Sequence, residues 1–194
     1  MKNLLAHLPA DLSGKRILIA GGTKDYGREI TLKLASMGAK LMVLSEEEEA
    51  LGNTMELLRA MDCESRCYGM IAEPSDPDDI RIILDVIQRH FRGLDILINN
   101  NMFTFPRQLH TGELSPDDIL YTRLQGQLYC TRELIGQMEK TGNACILNVN
   151  TIGSEMRRKY RLLCNKARIA FREFNSTLCR EAADKNVRVI LSSV

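Results

Sequence analysis

The apolar positions of this chain alternate between two patterns. Short stretches rich in apolar residues at 17–20, 39–44, 95–98, 144–149 and 187–191 have the length of buried strands, and 65–71 reads as a further strand. Between them, apolar residues recur at helical spacing. Ile30, Leu32, Leu34, Ala35 and Met37 carry a first helix, closed by Gly38. Leu51, Met55 and Leu58 fit a helix over 47–61. Ile80, Ile83, Leu84, Ile87 and Phe91 line a helix that starts at Asp76 or Pro77 and ends at Gly93. Leu120, Leu124, Leu128 and Leu134 mark a long helix over 117–139, and another covers 164–183. Strand and helix alternate throughout, so the pattern predicts an α/β fold: a doubly wound parallel sheet of about six strands with helices on both faces. Residues 1–194 read as a single domain, with 1–13 as a lead-in.

The first strand–helix junction is the chemically informative one. Ala20-Gly21-Gly22-Thr23-Lys24-Asp25-Tyr26-Gly27 joins a buried strand to a helix through a glycine-bearing turn. The start of that helix offers unpaired backbone N–H groups and the positive end of a dipole, a geometry that holds a phosphate. Glycines let the backbone approach a pyrophosphate closely. The same residues also suit a turn that binds nothing.

Composition narrows the classes. The chain has 194 residues, 44% hydrophobic and 26% charged, with a net charge of +1, so nothing points to nucleic acid. No apolar run is long enough for a bilayer, and the first residues lack a signal-peptide pattern. The six cysteines are scattered without a C-x-x-C pair or zinc spacing, so no metal site is expected and reduced thiols in the cytoplasm are. His7, His90 and His110 share no spacing with them and read as surface or capping residues.

The motifs in order resemble those of the short-chain dehydrogenase/reductase family over nearly the whole chain. The family's T-G-x-x-x-G-x-G loop corresponds to Ala20, Gly21, Asp25 and Gly27, with aspartate at the central glycine. Its N-N-A-G corresponds to Asn99-Asn100-Asn101-Met102. Its fifth-strand pattern resembles Ile146-Leu147-Asn148-Val149-Asn150-Thr151, and its late helix resembles Phe174-Asn175-Ser176-Thr177-Leu178-Cys179-Arg180-Glu181. Val187-Arg188-Val189 resembles the opening of its sixth strand. The resemblance implies a Rossmann-like fold, a nicotinamide dinucleotide and oxidoreductase ancestry.

The resemblance also implies a serine, tyrosine and lysine that act together. Serine orients a carbonyl, tyrosine exchanges a proton with the substrate oxygen, and lysine tunes the tyrosine and holds the nicotinamide ribose. Carried over from the fifth strand, these positions are Thr151, Cys164 and Arg168; counting back from Leu178-Cys179-Arg180-Glu181 gives the same Cys164 and Arg168. The relay asparagine falls at Arg123. Thr151 keeps a hydroxyl, and Arg168 keeps a cation that does not titrate near neutrality. Cys164 is either a replacement that ends the chemistry or a thiol activated by an arginine four residues on. Tyr160, one turn before Cys164, is the other candidate acid. Hydride transfer is therefore expected to be altered or lost, with a non-catalytic structural or regulatory scaffold as the alternative.

For the cofactor, the resemblance assigns Gly21, Thr23, Lys24, Tyr26 and Gly27 in the loop, Ser45 and Glu46 at the end of the second strand, Glu73 toward the adenine, and Asn100. Glu46 favours a free ribose hydroxyl and Lys24 a phosphate, so NAD and NADP both stay open. Asp25 and Met102 crowd the same site. The family also implies a homo-oligomer through the two long helices. It further implies a chain continuing past Ser192-Ser193-Val194, so an open nicotinamide end and an exposed sixth strand are expected here. The substrate is not legible.

Overall fold

The computed structural model describes residues 8, 10–74, 76–102, 116–151 and 161–193. Six strands form one parallel sheet in the order β3-β2-β1-β4-β5-β6. They are β1 (Arg16–Ala20), β2 (Lys40–Ser45), β3 (Cys67–Ile71), β4 (Ile96–Met102), β5 (Ala144–Thr151) and β6 (Val187–Ser193). The helices are α1 (Asp25–Ser36), α2 (Glu48–Ala60), α3 (Pro77–Val86), α4 (Pro116–Glu139) and α5 (Arg161–Ala183). The predicted doubly wound sheet is thus present, and the strand order reverses between β1 and β4.

The central strands β1, β2, β4 and β5 bury their apolar residues on both faces, whereas the edge strands β3 and β6 are only partly covered. Leu18, Met42, Leu97 and Ile146 pack on one side against Ile80 and Ile83 of α3, Leu134 of α4 and Leu178 of α5. Ile17, Ile19, Leu41, Val43 and Ile98 pack on the other against Ile30 and Leu34 of α1 and Leu58 of α2. Local signals set the ends. Asp76 caps α3 by accepting from the Asp78 N–H at 2.8 Å, and Pro77 takes the first helical position, where its missing N–H costs nothing.

Several boundaries differ from the periodicity. The helix expected to run to Gly93 is α-helical only to Val86; its last turn widens into a π-turn at Ile87–Phe91, and Arg92 at φ 57 ends it. Strands β4 and β5 run past the apolar runs, to Met102 and Thr151, because they pair residue for residue that far. The polar side chains this brings indoors are satisfied by one another. Asn99 donates through Nδ2 to Asn148 Oδ1 (2.8 Å) and Thr131 Oγ1 (3.2 Å), and Asn148 donates to Asn175 Oδ1 (2.8 Å). Helix α5 begins at Arg161, earlier than the spacing of its apolar residues indicates.

One ion pair pins the opposite end of the sheet. Arg16 at the start of β1 grips Asp95, just before β4, through Nε (2.8 Å) and Nη2 (2.9 Å), while its backbone N–H donates to the same carboxylate. Nη1 reaches the Arg92 carbonyl at 2.7 Å, over Gly93, where a Cβ would meet the guanidinium. Burial pushes the Asp95 carboxyl up, but the hydrogen bonds and charge of Arg16 outweigh it, so the group lies below the ordinary 3.8. Its folded value is therefore below its unfolded value. The stabilisation is complete above the unfolded value and is lost as pH falls through the folded one. Acid unfolding between about pH 4 and pH 2 is expected to be shallower in Asp95→Asn than in the native chain, as measured by urea midpoints across that range. Parallel slopes would count against this assignment.

Candidate functional site

The crevice lies where the strand order reverses, at the carboxyl ends of β1 and β4. Its floor is the glycine loop. Gly21 has φ 73, and a Cβ there would strike the Asn100 carbonyl of β4. A Cβ on Gly27 would land on the Gly21 carbonyl oxygen and, at 2.5 Å, on Asn100 Nδ2. A Cβ on Gly22 would lie 2.6 Å from Thr31 Oγ1, which donates to the Gly22 carbonyl at 2.7 Å. All three glycines are required by packing, so the start of α1 sits directly on the ends of β1 and β4. Asn100 locks the arrangement by donating from Nδ2 to the Gly21 carbonyl at 2.9 Å.

Asp25 occupies the central loop position with φ 43. Aspartate tolerates that region better than most residues, yet glycine is its natural occupant. The backbone there has the shape of a glycine turn although the residue is aspartate. Asp25 is exposed at the first turn of α1.

The remaining expected contacts sort into three groups. Thr23 and Ser45 are brought together and are both buried; their hydroxyls lie 2.9 Å apart. Ser45 also donates to the Glu47 carbonyl (2.9 Å) and accepts from the Glu47 N–H (3.1 Å), so it braces the turn between β2 and α2. Lys24 and Glu46 are exposed, and Lys24 forms an ion pair with Glu47. Glu73 is exposed just past the carboxyl end of β3, where its N–H donates to Asp79 Oδ2 at 2.7 Å. Two polar atoms here are buried with no partner among the described residues, Asn100 Oδ1 and the Tyr26 hydroxyl. Burial, then the charge of Glu29, pushes the Tyr26 phenol above its ordinary value.

The positions expected to be catalytic are less assembled. Thr151 closes β5, opposite Met102 of β4. Cys164 lies in the first turn of α5 and is 5% exposed, whereas Arg168, one turn on, is exposed. Tyr160, like Arg123's side chain, lies outside the described residues. Among the described residues no group of histidine, cysteine and carboxylates can hold a metal, and no helix is long and apolar enough to cross a membrane.

Sequence reasoning missed Glu47, Thr31 and the buried amides of Asn99 and Asn148 as parts of this region. Glu47 was hidden in a run of four glutamates that reads as a solvated helix start. The amides sit within apolar strands, and only the pairing of β4 with β5 brings them together.

Comparison with known proteins agrees with this geometry. The family described as short chain dehydrogenase matches residues 15–193. The 3-oxoacyl-(acyl-carrier-protein) reductase FabG of Vibrio cholerae is 26% identical over 180 residues, 92% of this chain and 72% of its own. Its counterpart from Staphylococcus aureus is 26% identical over 140 residues, 71% of this chain, and the match spans 56% of that protein's length. Among solved structures, a 2-keto-3-deoxy-D-gluconate dehydrogenase from Streptococcus agalactiae superposes with TM-score 0.77 at 20% identity, covering 98% of this chain and 71% of the other. A hydroxysteroid dehydrogenase from Escherichia coli gives TM-score 0.75 at 18% identity, over 94% and 71%. These likenesses carry the fold.

The tight floor of the crevice gives a direct test. Gly27→Ala is expected to destabilise the fold by about 3 kcal/mol, because the added methyl meets backbone atoms that cannot swing aside. Urea unfolding measures it, and a loss near that of an ordinary exposed helix substitution would show that α1 can lift away from β1.

Proposed function

The chain belongs to the short chain dehydrogenase family, and we propose that it binds a nicotinamide dinucleotide in the crevice at the β1–β4 reversal while the family's carbonyl chemistry is reduced or lost. The observation that carries the reading is the glycine floor. Cβ atoms at Gly21, Gly22 and Gly27 would strike the strands and loop beneath, so these glycines seat the start of α1, with its unpaired backbone N–H groups, at the carboxyl ends of β1 and β4 where a pyrophosphate would lie. The orphaned Asn100 Oδ1 adds a buried acceptor at the same edge, available to a ribose hydroxyl. Asp25 opposes this by setting a carboxylate beside the pyrophosphate position.

When bound, a nicotinamide dinucleotide supplies or accepts a hydride. The chain must then move a proton at the substrate oxygen, and its residues suit that step poorly. Cys164 is buried and shorter than the phenol it replaces. Arg168 keeps a charge for a ribose hydroxyl but gives up no proton near neutrality. Thr151 retains a hydroxyl able to orient a carbonyl. Acid, orienter and ribose clamp act as one unit, so replacing all three costs most of the rate.

The expected result is measurable binding of a reduced nicotinamide dinucleotide by nucleotide fluorescence, with no appreciable turnover of standard carbonyl substrates. Asp25→Gly is expected to tighten binding about fivefold, the effect of removing one like charge at about 4 Å in water. No binding by either protein would remove the cofactor reading. Strong turnover that survives Cys164→Ala would move the acid to another residue, Tyr160 first.

A second reading, a scaffold that acts by association, is favoured by the outer faces of the long helices. Leu162 and Ile169, two turns apart on α5, are 78% and 64% exposed, and Tyr129 of α4 is 43% exposed. Arg132 of α4 and Glu181 of α5 hold the two helices together at 2.5 Å. We place a homo-oligomer contact on this α4–α5 face, and the cell compartment in the cytoplasm, whose reducing conditions suit six cysteines free of disulfides. Light scattering at micromolar concentration is expected to report a dimer or larger, and Ile169→Asp to shift it toward monomer. A native monomer would refute the contact.

A further inference from the structure

Strand β3 is an open edge of the sheet. It pairs with β2 alone, so alternate N–H and C=O groups along its outer side have no strand partner among the described residues. Such edges are commonly guarded by a charge or a proline, and Cys67-Tyr68-Gly69-Met70-Ile71 holds neither. Tyr68 and Ile71 are 40% and 46% exposed, and the Tyr68 ring is steadied by stacking on His90, with ring centroids 5.7 Å apart. We infer that this edge is an interface with a second copy of the chain: the two β3 strands pair antiparallel about a twofold axis at Gly69, and α2 packs against its counterpart beside them. The contact is separate from the α4–α5 face and does not depend on a bound dinucleotide.

The strand is complementary to itself. A twofold axis normal to the sheet keeps every residue on its own face, so opposite residues must share a face. With Gly69 on the axis, Tyr68 lies opposite Met70 of the second copy, and Cys67 opposite Ile71. Met70 packs on the face covered by α3, so Tyr68 and Met70 make a thioether–aromatic pair there, twice over by symmetry. A ladder of this length is too small to hold two proteins together, and the flanking helices must supply the rest of the contact.

Helix α2 is placed to do so. It touches both β2 and β3. Strands about 4.8 Å apart then set the two α2 axes about 10 Å apart across the paired edges, an ordinary spacing for packed helices. A Cβ on Gly69 would lie 3.1 Å from both Leu51 and Met55, so the twofold axis crosses the level of α2 within that turn. Antiparallel helices related there bring Gly52 opposite Met55 and Glu48 opposite Arg59. Thr54 donates to the Thr23 carbonyl and faces inward, whereas Gly52, about 60° round the helix from Met55, faces the edge. Gly52 is exposed, and a Cβ there would meet nothing within 4 Å. Nothing inside the fold calls for glycine in a helix interior, where alanine is the more stable residue. Close approach of a second helix does call for it. Glu48 and Arg59 are exposed on the same side, so the antiparallel arrangement matches opposite charges at both ends. Two hydrogen bonds to Glu64, at 2.8 and 2.6 Å, hold the Arg59 guanidinium at that surface.

The test is sedimentation of the full chain carrying Ile169→Asp, so that the α4–α5 face does not contribute, alone and with Gly52→Lys or Glu48→Lys added. Each variant is first shown to be folded by circular dichroism. The Ile169→Asp chain is expected to dimerise as its concentration rises to about 100 μM. Gly52→Lys, which puts bulk and charge where the helices meet, is expected to raise the dissociation constant about tenfold or more, and Glu48→Lys to raise it by setting like charges opposite each other. Hydrogen exchange at the Cys67–Ile71 amides is expected to slow with concentration in the Ile169→Asp chain and not after Gly52→Lys. A chain that stays monomeric at about 100 μM would overturn the inference. So would a dimer indifferent to both lysine substitutions. Exchange in β3 that does not change with concentration would also overturn it, leaving that edge to water or to a strand of a different protein.

Discussion

Everything at the active end of this molecule depends on one close approach, that of α1 onto the ends of β1 and β4. There is no room for a single carbon at Gly27 or Gly21, because the Gly21 carbonyl, the Asn100 carbonyl and the Asn100 amide already fill the space. Asn100 converts proximity into a bond by donating to the Gly21 carbonyl. Thr31, one turn into the helix, fastens Gly22 from the other side. The crevice is therefore the void left when a helix is seated on a sheet by backbone contact. Its shape is set by backbone contacts rather than by the side chains around it.

The buried amides apply the same logic one layer deeper. Carrying β4 past its apolar run puts Asn99 beside Asn148 of β5, on the face covered by α4 and α5. An unpaired buried amide costs about 1–3 kcal/mol, so the extension is tolerable only because Asn99, Asn148, Asn175 and Thr131 satisfy one another. Asn175 in turn donates to the Phe171 carbonyl, one turn along α5 from Arg168. The polar chain thus runs from the strands beneath the crevice to the helix bearing Cys164 and Arg168. Helix α5 is positioned by hydrogen bonds of defined length as well as by apolar packing.

These particulars explain what was legible in the sequence. Apolar runs and helical periodicity predict the elements because they record burial, and burial is what the parallel sheet imposes. Gly21 and Gly27 were legible as a phosphate-type turn because the residue type is dictated by the backbone. The ends of β4 and β5 were not, since asparagine is a poor strand residue until a partner strand supplies its hydrogen bonds. The Lys24–Glu47 pair was not legible either: it joins residues 23 positions apart on exposed turns, and nothing in local composition distinguishes Glu47 from its three neighbours. The widened turn at Ile87–Phe91 shares this character, because a helical spacing of apolar residues does not separate an α-turn from a π-turn.

On the alignment that the family resemblance implies, matches and departures divide along a physical line. The features that match are those that a backbone specifies: a left-handed turn, a contact with no room for a Cβ, a strand register. The positions that depart from the family pattern on that alignment, Asp25, Thr151, Cys164 and Arg168, are ones that a side chain specifies. Asp25 shows the division within a single residue, since its backbone holds φ 43 as a glycine does while its side chain brings a charge the loop was not shaped for. Losing the fold's contacts costs stability at once, whereas losing a proton donor costs only turnover.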